Sequence, residues 1–185
     1  MYSNRFLRLQ IDVGGTKTSA VLVPPGKFVR RPVWSRVEPT RKGVDPLSRQ
    51  IERLYDRAQA VALRLGARLA VPVAVGTPGR HMVKRGTWVI TPDTARNLSR
   101  FRGEFDNVSL EAMLSERLGI RVQVRNDAVS QMAYGISSLL ANPRTAWKVK
   151  GKQVGYIGPG TGLGGGFARV APKGELVIKI TTKSS

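Results

Sequence analysis

The sequence predicts an α/β fold in which helices flank a mixed sheet and ligand-binding loops lie at the ends of strands. Three observations predict it. Apolar and polar residues alternate near the start of the chain, helix and strand patterns alternate through its middle, and strand patterns return at its end. Glycine-rich segments follow several of these strands, which is where ligands bind in such folds.

The first two strands should form an antiparallel hairpin. Residues 6–13 alternate apolar and polar side chains and lead into Gly14-Gly15, and residues 18–23 form a second strand pattern that stops at two prolines. Two strands joined by a short glycine turn normally pair antiparallel. A third strand is predicted over residues 27–37.

The middle of the chain predicts helices that alternate with strands. The first helix begins with Asp45 as its N-cap and Pro46 as its first helical residue, and it ends at Gly66. A nearly continuous apolar run over residues 69–75 predicts a buried strand, and a loop follows at residues 76–79. The next predicted elements are a hairpin over residues 82–91, a helix over 109–118, a strand over 120–124 and a helix over 127–140.

The last part of the chain predicts a second, smaller lobe. Its segments are a basic connection over residues 142–152, a strand over 153–157, a glycine-rich loop over 158–166, and strands over 167–170 and 175–180. We therefore expect an N-terminal lobe of residues 1–127 and the start of a truncated second lobe of residues 128–185.

The composition excludes several kinds of site. The chain has no cysteine and a single histidine, His81, which excludes disulfides, thiolate zinc sites and a histidine metal cluster within one chain. A bound metal should be a hard, oxygen-liganded ion such as Mg²⁺. Because no apolar run is long enough to span a membrane and no signal-peptide pattern opens the chain, we expect a soluble, cytoplasmic protein.

The net charge of +19 is typical of proteins that bind nucleic acids, because polyphosphates attract basic domains whatever their sequence. The excess of Lys and Arg is spread along the whole chain, without a basic arm or a basic strand rich in aromatic residues. We therefore expect no specific nucleic-acid binding, and a basic nucleic-acid-binding protein is the least favoured alternative.

The first glycine turn has the chemistry of a phosphate-binding loop. It places Asp12, Gly14, Gly15, Thr16 and Lys17 together at the end of a strand. Glycines let the backbone approach a phosphate, Thr16 and Lys17 offer donors to its oxygens, and Asp12 would hold Mg²⁺ through water. The alternative is an ordinary Gly-Gly hairpin turn.

The second glycine-rich segment has the spacing of a dinucleotide fingerprint at Gly160, Gly162 and Gly165. Such a fingerprint should open a helix, but the residues after it have a strand pattern, so we reject a nicotinamide-binding function. A second phosphate-binding loop, which includes Thr161 and Gly164 and faces the first across a cleft, fits better.

Asn126 and Asp127 stand where a predicted strand meets a predicted helix. A carboxylate held at that junction can act as the base that takes a proton from an attacking hydroxyl. The alternative is that Asp127 only caps the helix, for which Asp is a favoured residue.

Together these segments resemble the ROK family of sugar kinases and sugar-responsive proteins, within the actin-like ATPase superfamily and its ribonuclease H-like fold. The resemblance rests on Asp-x-Gly-Gly-Thr-Lys at 12–17, Gly-x-Pro-Gly at 76–79, Asn-Asp-Ala at 126–128 and Gly-Thr-Gly-x-Gly-Gly-Gly at 160–166, with Asn97 as a looser match.

The resemblance implies a glucokinase-like enzyme that transfers the γ-phosphoryl group of ATP to a sugar hydroxyl, with ATP and Mg²⁺ as cofactors and Asp127 as the base. It implies that residues 12–17 and 160–165 bind the phosphates, and that the sugar is bound by Gly76, Pro78, Gly79, Asn97, Asn126 and Asp127. The rival interpretation is a non-catalytic sugar- or nucleotide-binding regulatory protein of the same family.

The family's later motifs, a Glu-x-Gly-His sugar clamp and a cysteine-rich zinc motif, do not occur in this sequence. We therefore expect either a truncated chain or a partner that supplies the missing surface, such as a second copy in a homodimer.

Overall fold

The structure, a computed structural model, describes residues 5–24, 31–159 and 163–179. It forms two compact units, Met1–Asn126 and Asp127–Ser185, and each has its own hydrophobic core. None of the helices in the described ranges is long and apolar enough to span a membrane. The functions assigned above to the two lobes stay predictions.

The first unit is built on a mixed sheet. In chain order its elements are β1 (Arg5–Val13), β2 (Lys17–Val23), β3 (Trp34–Pro39), α1 (Val44–Arg64), β4 (Ala67–Leu69), β5 (Val73–Thr77), β6 (His81–Lys84), β7 (Thr87–Ile90), α2 (Leu110–Leu118) and β8 (Val122–Asn126). The main sheet has the order β3-β2-β1-β5-β8, and β4 also pairs with β1. The strands β1, β2 and β3 are antiparallel neighbours, whereas β5 is parallel to both β1 and β8. The predicted mixed sheet with helices is confirmed.

The helices of this unit pack on the sheet through apolar faces. On α1, the apolar residues Leu47, Ile51 and Leu54 recur every three or four positions and are fully buried. They join Leu110 and Leu114 of α2 and the strand side chains in one hydrophobic core. That core anchors β1, β5 and β8, whose ends carry the predicted site residues.

Three local predictions for this unit are wrong. The N-cap of α1 is Gly43, while Asp45 lies inside the helix and pairs with Arg49 at 3.0 Å. The apolar run over 69–75 forms two strands, β4 and β5, because Pro72 between them has no N–H to donate to a strand ladder. The third strand is present but has other bounds, since residues 31–33 are not strand and β3 runs to Pro39, while residues 27–30 of the predicted strand lie outside the described residues.

The second unit packs one helix on an antiparallel sheet. Its elements are α3 (Asp127–Ala141), α4 (Pro143–Ala146), β9 (Gln153–Pro159), β10 (Leu163–Val170) and β11 (Leu176–Lys179). The central strand, β10, pairs antiparallel with both β9 and β11. Met132 and Ile136 of α3 pack against Val149, Ala168 and Val170. The predicted helix over 127–140 is confirmed, whereas α4 was not predicted.

Most of the predicted glycine-rich loop over 158–166 is strand instead. Gly158 lies in β9, while Gly164, Gly165 and Gly166 lie in β10 and pair with β9. Close packing favours glycine at position 165, since a Cβ there would lie 3.1 Å from the carbonyl oxygen of Tyr156. The residues Gly160, Thr161 and Gly162 lie outside the described residues.

Candidate functional site

Three predicted site segments lie at one edge of the main sheet. In the parallel registers, Asp12 of β1 pairs with Gly76 of β5, and Thr77 of β5 pairs with Asn126 of β8. The carboxyl ends of these three strands therefore meet, and the turns that leave them are neighbours. Ligands of open α/β sheets bind at such an edge.

The turn after β1 is tight, and it exposes side chains that can donate hydrogen bonds. The N–H of Gly14 donates to the carbonyl oxygen of Lys17 at 2.8 Å, and a Cβ on Gly14 would lie only 2.9 Å from that same oxygen. Glycine is required at this position because backbone atoms cannot move aside as a side chain would. The side chains of Thr16 and Lys17 are exposed, while Gly15 is buried. The predicted antiparallel hairpin is therefore confirmed, and phosphate binding by its turn remains a prediction.

Residues that follow β3 support this turn. Thr40 donates its hydroxyl to the carbonyl oxygen of Gly14 at 2.8 Å and its backbone N–H to that of Thr16 at 3.0 Å. Its hydroxyl also lies 3.1 Å from that of the buried Thr18. Sequence reasoning missed Thr40, because its contacts cross more than twenty residues and no local pattern marks them.

Lys42 connects the first turn to Asn97. Its ammonium group donates to the carbonyl oxygen of Gly15 and to that of Asn97. The predicted site residue Asn97 is thus brought next to the first turn, through its backbone carbonyl. Lys42 was also missed, because a lysine in a polar segment looks like any solvated surface residue.

The loop that follows β5 is held by a hydrogen bond from the adjacent strand, β8. The amide nitrogen of Asn126 donates to the carbonyl oxygen of Gly79 at 2.8 Å. Thr77 and Pro78 are buried, and Gly79 has a φ of 95°, a conformation that favours glycine. Two of the predicted sugar-binding segments therefore contact one another directly.

His81 contacts the start of the same loop. The residue is only 6% exposed, and the Nε2 of its ring lies 3.3 Å from the hydroxyl of Thr77. The pKa of His81 is lowered from its usual 6.5 to about 4, mainly by burial and also by the positive charge of Arg125, while Glu111 acts in the opposite direction. The imidazole is therefore neutral at pH 7. Among the described residues, its Nδ1 has no hydrogen-bond partner.

Arg125 adds a paired positive charge beside Asn126. Its guanidinium donates to the carboxylate of Glu111 at 2.7 Å and lies 4.9 Å from the ring of Trp88. The same carboxylate oxygen accepts the backbone N–H of Val124 at 2.9 Å. Arg125 is thus held by α2 and β7, which keeps the end of β8 in place.

Asp127 opens both α3 and the second unit. One oxygen of its carboxylate accepts the backbone N–H of Ala128 at 2.7 Å, and its side chain is partly exposed. The other carboxylate oxygen carries the acceptor capacity that a base would need. The catalytic function of Asp127 remains a prediction.

Comparison of the sequence with models of protein families and with curated proteins finds no match. Solved structures do match this chain. A ROK family glucokinase from Streptomyces griseus, in complex with glucose and AMPPNP, is 23% identical over 93% of this chain and 48% of its own, with a TM-score of 0.59. An inorganic polyphosphate/ATP-glucomannokinase from Arthrobacter sp. strain KM is 25% identical over 94% of this chain and 61% of its own, with a TM-score of 0.62.

A ROK family transcriptional regulator, a homologue of the E. coli MLC protein, matches as well, at 15% identity and a TM-score of 0.62 over 88% of this chain and 36% of its own. The fold is therefore that of ROK family proteins, and the predicted resemblance is confirmed at that level. The chain spans about half the length of the sugar kinases it matches.

Proposed function

Because the chain has the fold of ROK family proteins, we propose that it is the phosphate- and sugar-binding part of an ATP-dependent sugar kinase. The observation that carries the proposal is the meeting of Asp12, Gly76 and Asn126 at one sheet edge, with a glycine turn after both β1 and β5. Phosphoryl transfer needs a phosphate cradle and an acceptor site side by side, because its catalysis consists mainly of positioning and charge stabilisation.

The turn after β1 is the proposed phosphate site. Thr16 and Lys17 point donors into solvent, while the backbone beneath them is fixed by Thr40 and Lys42. A preorganised turn of this kind loses little conformational freedom when it binds an anion. The high positive charge of the chain attracts nucleotide phosphates to it.

Asp12 is the residue that we propose to hold Mg²⁺ through water. Among the described residues, no group of three or more His, Asp or Glu side chains could form a metal cage. One carboxylate beside a phosphate turn fits Mg²⁺, since this ion usually keeps several waters and takes further oxygens from the phosphates. When bound, it would neutralise charge on the phosphates.

The loop after β5 is the proposed sugar site, together with Asn126 and Asn97. Gly79 has a φ of 95°, and the Asn126 amide fixes the loop through its bond to the Gly79 carbonyl oxygen, so the loop keeps one shape for a sugar to bind. In the reaction, Asp127 accepts the proton of the sugar hydroxyl while the oxygen of that hydroxyl forms a bond to the γ-phosphorus. The bond from that phosphorus to the bridging oxygen breaks, and ADP leaves.

A coupled assay of ADP release with glucose and Mg-ATP tests this function. Asp127→Asn should lower turnover by at least about 100-fold, because loss of a general base typically has that effect. The matched control is Asp56→Asn, the same chemical change at an exposed position of α1, which should leave turnover unchanged. Equal activity of wild type and Asp127→Asn would remove Asp127 from the mechanism.

A non-catalytic binding protein is the second candidate, and the likeness to a ROK family transcriptional regulator favours it. In that case the purified chain would show no turnover, while glucose or ATP would still raise its melting temperature. Absence of both turnover and any thermal shift would reject the two candidates together.

The phosphoryl donor could also be a longer polyanion. One of the matching enzymes is described as an inorganic polyphosphate/ATP-glucomannokinase, and the net charge of +19 suits a polyphosphate chain. Replacing ATP with polyphosphate in an assay of sugar phosphate formation distinguishes the two donors. Turnover with ATP alone would reject polyphosphate.

A further inference from the structure

The second unit carries a concentration of positive charge that the proposed kinase function does not use. Between Asp127 and Glu175 the sequence contains six Lys or Arg residues and no acidic residue. Four of the six, together with one tryptophan, form what we call the basic patch: Arg144, Trp147, Lys148, Lys150 and Lys152. Because no carboxylate lies in this stretch to neutralise them, their charges remain available to an anionic ligand.

The backbone of the basic patch is well anchored. Asn142 caps α4 by accepting the N–H of Arg144 at 3.0 Å. Ala146 and Val149 are buried, at 8% and 4% exposure, and Val149 belongs to the core of the second unit. These inward side chains fix the segment, so its basic side chains point outward.

Trp147 is the unusual member of the basic patch. Its side chain is 65% exposed, although tryptophan is normally among the more buried residues. Its indole N–H donates to the carbonyl oxygen of Arg144 at 3.0 Å, which fixes the orientation of the ring. The ammonium groups of Lys148 and Lys152 lie 5.9 and 5.6 Å from the ring centroid. An exposed aromatic plane thus has two cations within 6 Å of its centre.

We propose that the basic patch binds single-stranded nucleic acid without sequence preference, with a base stacked on Trp147 and adjacent phosphates on Lys148 and Lys152. Stacking platforms bordered by cations are the common device of proteins that bind single strands. A duplex fits less well, since its bases are already stacked and the four-residue helix α4 is too short to read a groove.

Two other polyanionic surfaces are less suited to the basic patch. Inorganic polyphosphate would use the lysines but has no ring to place on Trp147. An anionic membrane would need an apolar face to insert, whereas Trp147 is the single apolar side chain of the patch and no amphipathic helix carries it. The exposed, fixed indole therefore favours a ligand with bases.

Fluorescence anisotropy of a labelled 15-residue oligothymidylate, titrated with the full chain at several salt concentrations, tests the proposal. Trp147→Ala should weaken binding by about 10-fold, in the range measured for loss of one stacking contact. The double variant Lys148→Gln with Lys152→Gln should make the fall of log K with log salt shallower, reducing the size of the slope by about 1.4. Each phosphate contact on a single strand contributes about 0.7 to that slope. Quenching of tryptophan fluorescence should accompany binding by wild type.

The matched control removes two charges from the first unit, Lys84→Gln with Arg85→Gln, and should change affinity by less than the lysine pair of the basic patch. The proposal would be overturned if Trp147→Ala bound the oligonucleotide as tightly as wild type and if polyphosphate competed for the patch as well as unlabelled oligonucleotide does. Binding would then depend on positive charge alone, without stacking of a base. Binding to anionic vesicles with none to the oligonucleotide would also overturn it. None of these measurements involves sugar or ATP. They would therefore still test nucleic-acid binding if the chain proved to have no kinase activity.

Discussion

Gly14 has the tightest environment in the proposed phosphate turn, because a Cβ there would meet the backbone carbonyl of Lys17 at 2.9 Å. Gly14→Ala should therefore lower the free energy of unfolding by about 2 kcal/mol, in the range for overpacked positions. Urea denaturation followed by circular dichroism measures the change.

The same substitution should have the opposite effect at Gly135. This residue lies inside α3, and a Cβ there would have no neighbour within 4 Å. Gly135→Ala should therefore stabilise the protein by up to about 1 kcal/mol through its better helix propensity. If both variants lost stability equally, the close contact at Gly14 would not be the cause.

His81 predicts a pH dependence of stability with a defined sign. Its pKa in the folded protein is about 4, below the usual 6.5, so the unfolded chain binds a proton first as the pH falls. The stability contributed by the neutral ring is complete above about pH 6.5 and is lost between about pH 6.5 and 4. Between pH 7 and pH 5 the loss should be about 2 kcal/mol.

Because the chain has one histidine, the measurement can be made directly. The ring C–H signals in a proton NMR titration should move with a midpoint near pH 4, and His81→Gln should reduce the stability difference between pH 7 and pH 5. A midpoint near 6.5 would show that the ring is not buried against Thr77.

At the scale of secondary structure, the sequence predicts an element well where its signals are local. The helix α2, predicted over residues 109–118, spans Leu110–Leu118, with Ser109 as its N-cap and Gly119 in the left-handed conformation at its end. Asp45 misled the prediction for α1, since the helix begins at Val44 after Gly43. The carbonyl oxygen of Gly43 accepts the N–H of Leu47 at 3.0 Å, and its own N–H donates to the distant Leu98 at 2.8 Å. The strand over 69–75 was misjudged because a single proline outweighed a continuous apolar run.

Ser109 allows a test of helix capping with little else disturbed. Its hydroxyl accepts the N–H of Ala112 at 3.2 Å, so Ser109→Ala should lower the free energy of unfolding by about 1 kcal/mol. Ser137→Ala, an exposed change inside α3, should be neutral or slightly stabilising, because alanine has the higher helix propensity. Thermal melts of the two variants beside wild type measure the difference, and an equal effect of both would contradict a capping function for Ser109.

At the scale of the whole molecule, the sequence predicts the residues of the candidate site better than the residues that hold them in place. Asp12, Gly76 and Asn126 were identified because each stands at a predicted strand end, and parallel pairing brings them to one edge. Thr40, Lys42 and His81, which support the turns between them, were not identified. Their contacts depend on the register of the folded sheet and on chain segments far apart in sequence.

The two compact units carry different parts of the proposed chemistry. The first holds the turns after β1 and β5, and the second begins with Asp127 and bears the basic patch. The chain spans about half the length of the sugar kinases whose fold it shares. The proposed transfer of a phosphoryl group therefore has to be measured on this chain itself.

The most direct test is a phosphorus NMR time course of the purified chain with Mg-ATP and glucose. The γ-phosphate signal should decline while a sugar phosphate ester signal grows in step, and the ester should form at least about 100-fold more slowly with Asp127→Asn. No ester formation by wild type, or conversion of the γ-phosphate to inorganic phosphate at the same rate with and without glucose, would contradict the proposed function.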